Sequence, residues 1–544
     1  MEKTNHGEMA AHSHESTPSP TPTEVHHDNH EHGLSFKPAE DIEKGVPDGS
    51  KGEPLKGQLG EPDKSGTIII GWEKDDDENP KNFSFKRRWY ITWIVSLYGI
   101  LSPLTSSMIA PCTGVISKSL GVTKTFEMNM MVSVYLLGYV VGPFFIGPLS
   151  EVYGRRPVLM ASNALFIAFN IGCSQARTFD EMVAFRFLAG LGGAGPLSIG
   201  SGVLGDLWRA EERGKAAALY SIGPLLGPSL GPIAGGFLAE ARGADTYGND
   251  TWRWTFYIVI IVGTISATVG FFQLPETYGP LLLERRARRL RAQTGNEKIQ
   301  SEYDKKETTR QIITRALVRP IIMLTTQPII QIFTLYQAVL VGTFYILLVT
   351  FTRVFTETYH ESTGIASLNF LALALGAITG RQIGTQLMDK YYCILKARNG
   401  GVANPEMRLV IFFIPAILIP SGMLIYGWAI EYAVHWIVAD IGTFIFAMGL
   451  MCVGFALNAY TIDVYPLYAA SALAVTNSVR SVFGFAFPLF ADDMYAKLGY
   501  GWGSSLLALI AFLLGGPGAL ALYRYGPKLR AMSTYAAGGA GSGQ

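Results

Sequence analysis

Charge is scarce in this chain. Of its 544 residues only 16% are charged, against about 25% in a soluble protein, which excludes a solvent-facing surface over most of its length. No basic excess exists either: the net charge is +1, so no nucleic-acid partner is expected. Cysteine is rarer still. Cys112, Cys173, Cys393 and Cys452 show no paired spacing, so no disulfide framework is expected and each reads as a small apolar residue. Histidine is almost confined to one end, where His6, His12, His14, His26, His27, His30 and His32 make up seven of the nine. Such spacing can hold a metal loosely, but a solvated low-complexity tail explains it more simply. The remainder has no His-rich motif and no nucleophile beside a base. An enzyme is therefore not expected, nor a metal or cofactor.

What the chain has instead is apolar length. A bilayer core needs about 20 consecutive apolar residues per helix. Runs that meet this lie near 90–110, 127–149, 157–175, 182–204, 216–239, 252–273, 321–351, 364–387, 409–428, 434–457, 468–490 and 502–523. The expectation is an all-α integral membrane protein with twelve transmembrane helices. Lysine and arginine set its orientation. The loops on one side (150–157, 205–215, 275–320, 388–408, 458–467) hold 20 of them, and the facing loops hold 7. Both termini are therefore placed in the cytoplasm, and no cleavable signal peptide is expected before the first span.

Residues 1–75 are polar and lack an apolar run that could pack, which predicts a disordered cytoplasmic tail. Two six-span halves follow, 76–274 and 321–523, joined by a connector over 275–320, with a short tail at 524–544. The connector carries ERRARRLR, readable as a surface helix beside anionic lipid or as a solvated linker. A duplication is legible: Gly138, Gly142, Leu149, Glu151 and Tyr153 recur as Gly376, Gly380, Leu387, Asp389 and Tyr391. Repeated halves of one orientation suggest a transporter that rocks around a central site.

Between spans two and three stands GPLSEVYGRRPVL. It resembles the G-x-L-x-D-R-x-G-R-R loop of the major facilitator superfamily through Gly147, Leu149, Gly154, Arg155 and Arg156, with Glu151 in place of Asp and Val152 in place of a basic residue. The resemblance implies a charged latch between the halves, built from Gly147, Glu151, Gly154, Arg155, Arg156 and the repeat partner Asp389. In span four, MVAFRFLAGLGGAGPL resembles the family's second motif, whose arginine is tied to proton transfer; Arg186, Gly190 and Gly192 match and Ala189 departs. A central arginine costs about 3 kcal/mol to insert. Arg186 should therefore face a polar partner, either a carboxylate in a cavity or backbone carbonyls. In span five, SIGPLLGPSLGPIAGGFL resembles the antiporter pattern G-x3-G-P-x2-G-G at Gly227, Gly231, Pro232, Gly235 and Gly236. Small residues let helices approach closely, so this run is expected to form a packing seam where the halves meet.

ENPKNFSFKRRW, WRWTFY, LPETYGPLLLERRARRLR and FPLFADDMYAKLGYGWGSSLLA narrow the resemblance to fungal twelve-span drug:proton antiporters, from about residue 72 onward. It implies the major facilitator fold and proton-driven export of small amphipathic compounds: drugs, toxins or secondary metabolites. A polyamine exporter, a proton-coupled uptake symporter and a non-transporting sensor remain as alternatives. Within the spans, Asp440 is a candidate proton carrier or an external-rim carboxylate. Arg480, with Asn477 one turn away, is a candidate coupling residue, and Tyr336, Gln337, Tyr345 and Asn477 are candidates for the substrate cavity. Asn249 heads an Asn-Asp-Thr glycosylation sequon, which points to the secretory pathway and a plasma-membrane destination, with the vacuole as alternative. The expected partners are a small-molecule substrate, protons and lipid, with the protein a monomer.

Overall fold

A backbone in hydrocarbon has no water to bond and must bond itself, so apolar segments of this length become helices. The computed structural model describes residues 67–73, 75–209, 211–240, 251–303, 308–402 and 404–536. Asn249 and residues 1–66 of the expected tail lie outside them.

Among the described residues eleven helical runs are long and apolar enough to cross a membrane. Spans one to six are Phe85–Leu120, Thr125–Tyr153, Arg155–Gln175, Phe179–Leu207, Arg213–Glu240 and Arg253–Gln273. Spans seven to ten are Pro328–Thr358, Thr363–Arg398, Pro405–Glu431 and Trp436–Val464. The eleventh run, Ala469–Met532, is broken at Gly499, whose φ of 75° and ψ of 168° no helix contains. Glycine alone adopts that conformation cheaply. The break gives span eleven (469–498) and span twelve (500–532), each longer than a bilayer requires. Twelve crossings return the chain to the face it started from; that face is called terminal below, and the opposite one distal.

The duplication read from the sequence is a duplication of packing. A Cβ on Gly138 would strike the backbone of Gly190 and Leu191, so span two lies directly on span four. Gly376 and Gly380 bring span eight onto Phe444 and Met448 of span ten in the same way. Prolines inside spans free carbonyls that neighbours take up. Pro196 leaves the Gly192 carbonyl unbonded in span four, and the Ser162 hydroxyl of span three donates to it at 2.7 Å.

The glycine row of span five packs differently from expectation. Gly223, Gly227, Gly231 and Gly235 face span one of the same half, where a Cβ on Gly227 would lie 2.7 Å from Pro103 Cβ. At Gly235 it would fall on the Met108 carbonyl oxygen. Only Gly236 faces the other half, against Ser367 of span eight. The seam between the halves runs along the other side of span five, because four-residue spacing keeps the glycines on one slowly turning stripe.

Two boundaries also move. Gln327 is extended (φ −108°, ψ 102°) ahead of Pro328, so 309–326 is a separate helix and span seven starts at Pro328, not at 321. The end of the expected tail is ordered: strand β1 (Ile68–Ile70) pairs in parallel with β2 (Ile299–Ser301) of the connector. Ile70 and Ile299 form a small core with Leu283, Ala287 and Leu290 of the connector helix Gly279–Thr294. Its arginines meet protein acids, Arg286 with Asp76, Arg289 with Glu78, and Arg288 and Arg291 with Glu284.

Candidate functional site

Arg186 shows how the fold accommodates a charge in hydrocarbon. Its side chain is fully buried. Nε donates to the Met131 carbonyl at 3.2 Å, Nη1 to Thr105 at 3.0 Å, and Nη2 to Ser106 at 2.8 Å and Val132 at 3.3 Å. Thr105 and Ser106 end the first helix of span one, which stops at Met108, and Met131 and Val132 end the segment Thr125–Ser133 of span two. The last carbonyls of a helix have no partner within it and carry a partial negative charge. One guanidinium thus caps two helix ends, and it stacks over Tyr135 at 4.6 Å. Of the two partners the sequence left open, carbonyls are the ones present.

Asp440 lies elsewhere, at the distal end of span ten. It is within electrostatic reach of Glu361 and Tyr359. Its Oδ1 is buried without a hydrogen-bond partner among the described residues. Glu361, in the turn before span eight, accepts from Asn369 Nδ2 at 2.8 Å, while burial pushes its carboxyl above the usual range.

The loop after span two makes a charge cluster with different partners from those expected. Gly154, with φ 105°, turns the chain so that the backbone N–H groups of Arg155 and Arg156 open span three. The Glu276 carboxylate accepts from both, at 2.9 and 3.2 Å. Arg155 Nε donates to Asp206 of span four at 3.2 Å, and its Nη1 to Ser150 at 2.8 Å. Arg156 Nη2 donates to the Phe271 carbonyl at 2.7 Å. Glu151 and Asp389 are exposed, and a Cβ on Gly147 would meet nothing within 4 Å. The cluster ties spans two, three, four and six of one half; among the described residues it does not join the halves. Sequence reasoning missed Asp206 and Glu276. The signal was a second repeat, since Arg155 and Asp206 stand 51 residues apart and the paired Arg408 and Asp463 stand 55 apart, each arginine opening an odd span and each aspartate closing the next.

Between the halves lies a cavity of about 200 Å³. Span five contributes Pro224, Pro228 and Ser229, and span seven contributes Gln337, Leu340, Phe344 and Tyr345. Spans two, ten and eleven add Tyr139, Met451, Arg480 and Ser481. Of the four cavity candidates Gln337 and Tyr345 are in the lining, and so is Arg480, which the sequence offered as a coupling residue. Tyr336 is not: it packs on Gly515 of span twelve. Asn477 is absent from the lining, and its carbonyl accepts from Ser481 Oγ at 2.8 Å. The hydrogen bonds joining the halves among the described residues run from mid-depth to the distal face. Ser478 Oγ donates to the Val140 carbonyl at 3.1 Å, and Asn129 Nδ2 to Pro488 O and Asp492 Oδ2, both at 2.9 Å. Glu240 of span five accepts from the Gly364 N–H at 2.8 Å and Ser362 Oγ at 3.1 Å. Arg353 pairs with Asp492 behind this closure.

A family model described as Major Facilitator Superfamily matches residues 95–488. The chain belongs to that superfamily. It is 44% identical over 502 residues to "Efflux pump vrtL" of Penicillium aethiopicum, covering 92% of this chain and 97% of the relative. With "Efflux pump radE" of Floropilus chiversii it shares 39% identity, over 85% of each. Among solved structures, the proton:xylose symporter XylE bound to 6-bromo-6-deoxy-D-glucose matches with a TM-score of 0.60 at 18% identity, over 81% of this chain and 96% of that one. That likeness speaks for the fold alone. A superfamily member of this make is a multi-pass membrane transporter and not an enzyme.

Proposed function

We propose that the protein is a secondary active transporter that exports small amphipathic organic compounds in exchange for protons. The observation that supports this best is the cavity between two repeated halves, closed at its distal end by Asn129, Asp492 and Glu240. With both termini in the cytoplasm, this is the conformation that loads from inside. The lining is mostly apolar with a few polar groups, which suits amphipathic cargo. Relatives named as efflux pumps and the span-five pattern at Gly227, Gly231, Pro232, Gly235 and Gly236 favour export over uptake.

In this reading the halves 76–274 and 321–523 rock as bodies. Arg186 holds the helix ends of spans one and two together through the cycle. The coupling proton is assigned to Asp440, whose Oδ1 lacks a partner among the described residues, within electrostatic reach of Glu361, and which lies toward the outside, where protons are taken up. The destination is the plasma membrane and the working unit a monomer. Purified protein in proteoliposomes tests the proposal. An imposed pH gradient should drive uphill flux of an amphipathic dye, and a protonophore should collapse it. Flux indifferent to the gradient would overturn proton antiport.

A further inference from the structure

The cavity has a charge of one sign. Arg480 is its only charged lining residue among those described, and no carboxylate lines it. The guanidinium has no hydrogen-bond or ion-pair acceptor among the described residues, in contrast to Arg186 with its four carbonyls. Tyr345, within electrostatic reach of Arg480, carries no formal charge. Gln337 Oε1 is buried without a partner among the described residues, so the polar side of the site is incomplete as it stands. A guanidinium facing a cavity at membrane depth without a counter-charge is costly. Nothing among the described residues of the neighbouring spans offsets it, and the missing partner is one that the cargo can bring.

We infer that the transported molecule is an organic anion: an apolar body, of the bulk of two fused rings, bearing one carboxylate or similarly acidic oxygen that pairs with Arg480. The planar guanidinium suits a two-oxygen acid, which it can meet with two parallel N–H donors. Leu340, Phe344 and Met451 take the apolar body. Amines and polyamines are disfavoured, because they would place a second cation beside the first with no acid to hold it. This rests on the exporter reading, since it names that site's cargo.

The test compares three probes of one shape with the purified full-length protein: 2-naphthylacetate, 2-naphthylacetamide and 2-(2-naphthyl)ethylamine. Calorimetric binding should favour the carboxylate over the amide by about tenfold, with the amine weakest. Arg480→Gln should bring the carboxylate down to the level of the amide and leave the amide unchanged, and Arg480→Lys should restore part of the preference. Equal binding of the three probes, no binding of the carboxylate, or a preference that survives Arg480→Gln would each overturn the inference. Failure of the exporter reading looks different: the carboxylate would bind through Arg480, yet no gradient would move it across proteoliposomes.

Discussion

Spans four and eleven each carry an arginine into the membrane, one in each half, and the two have opposite surroundings. Arg186 is fully buried and gives its hydrogen bonds to carbonyls at two helix ends. Arg480 opens on the cavity with no acceptor described. The first charge is balanced by the fold and belongs to the scaffold. The second is left for something that is not part of the fold. Residue type and depth do not separate these roles; the partners do.

The largest effect expected from this contrast is on Arg186. Arg186→Ala leaves four carbonyls without donors in a dry region, at about 1–3 kcal/mol for each unsatisfied group. Loss of folded, detergent-extractable protein should follow, read by fluorescence size-exclusion chromatography. Arg186→Lys, with a compact ammonium in place of the fork, should recover part of it. A well-folded Arg186→Ala would break the comparison at its scaffold end. Gly231→Leu comes next, because span five holds the segment of span one that carries Thr105 and Ser106. Leu104 O and Ser107 Oγ already occupy the place of a Cβ at Gly231, so even Gly231→Ala should cost about 1–3 kcal/mol, and the leucine variant should lose export altogether. Wild-type melting of Gly231→Ala would show that the seam yields more easily than its geometry implies.

Asp440→Asn should spare folding and binding and remove gradient-driven uphill flux by about tenfold or more, with downhill flux retained. An unchanged pH response would move the proton to another acid and leave the arginine contrast intact. The smallest effects sharpen the cavity itself. Tyr336→Phe and Asn477→Ala, neither of which lines it, should change carboxylate affinity within about twofold. A larger loss at Asn477 would enlarge the site around Arg480.

The sequence was legible where hydrophobicity and glycine decide the outcome. Twelve apolar runs became twelve spans, and the Gly138/Gly142 and Gly376/Gly380 repeat became the same helix contact in each half. It was less legible where partners are backbone atoms, which one carbonyl among many does not advertise; the acceptors of Arg186 are of this kind. Helical phase held more than was taken from it. Tyr336 and Tyr345 are nine residues apart, about 180° around a helix, so both could not line one cavity. Gln337, Leu340, Phe344 and Tyr345 share a stripe, and that stripe is the lining. The loop motif points to Glu151, whereas folding brings two distant acids, Asp206 and Glu276, to Arg155 and Arg156. The ordered Ile68–Ile70 strand was hidden because its partner, Ile299–Ser301, lies six spans later.

The most direct test of the two-arginine account is the melting temperature of purified protein with and without 2-naphthylacetate. A ligand that binds only the folded state raises that temperature. Wild type and the folded fraction of Arg186→Lys should both show the upward shift, Arg186→Lys from a lower starting point. Arg480→Gln should melt no lower than wild type and show no shift. A full shift in Arg480→Gln, or an Arg186→Lys protein as stable as wild type that has lost the shift, would contradict the account.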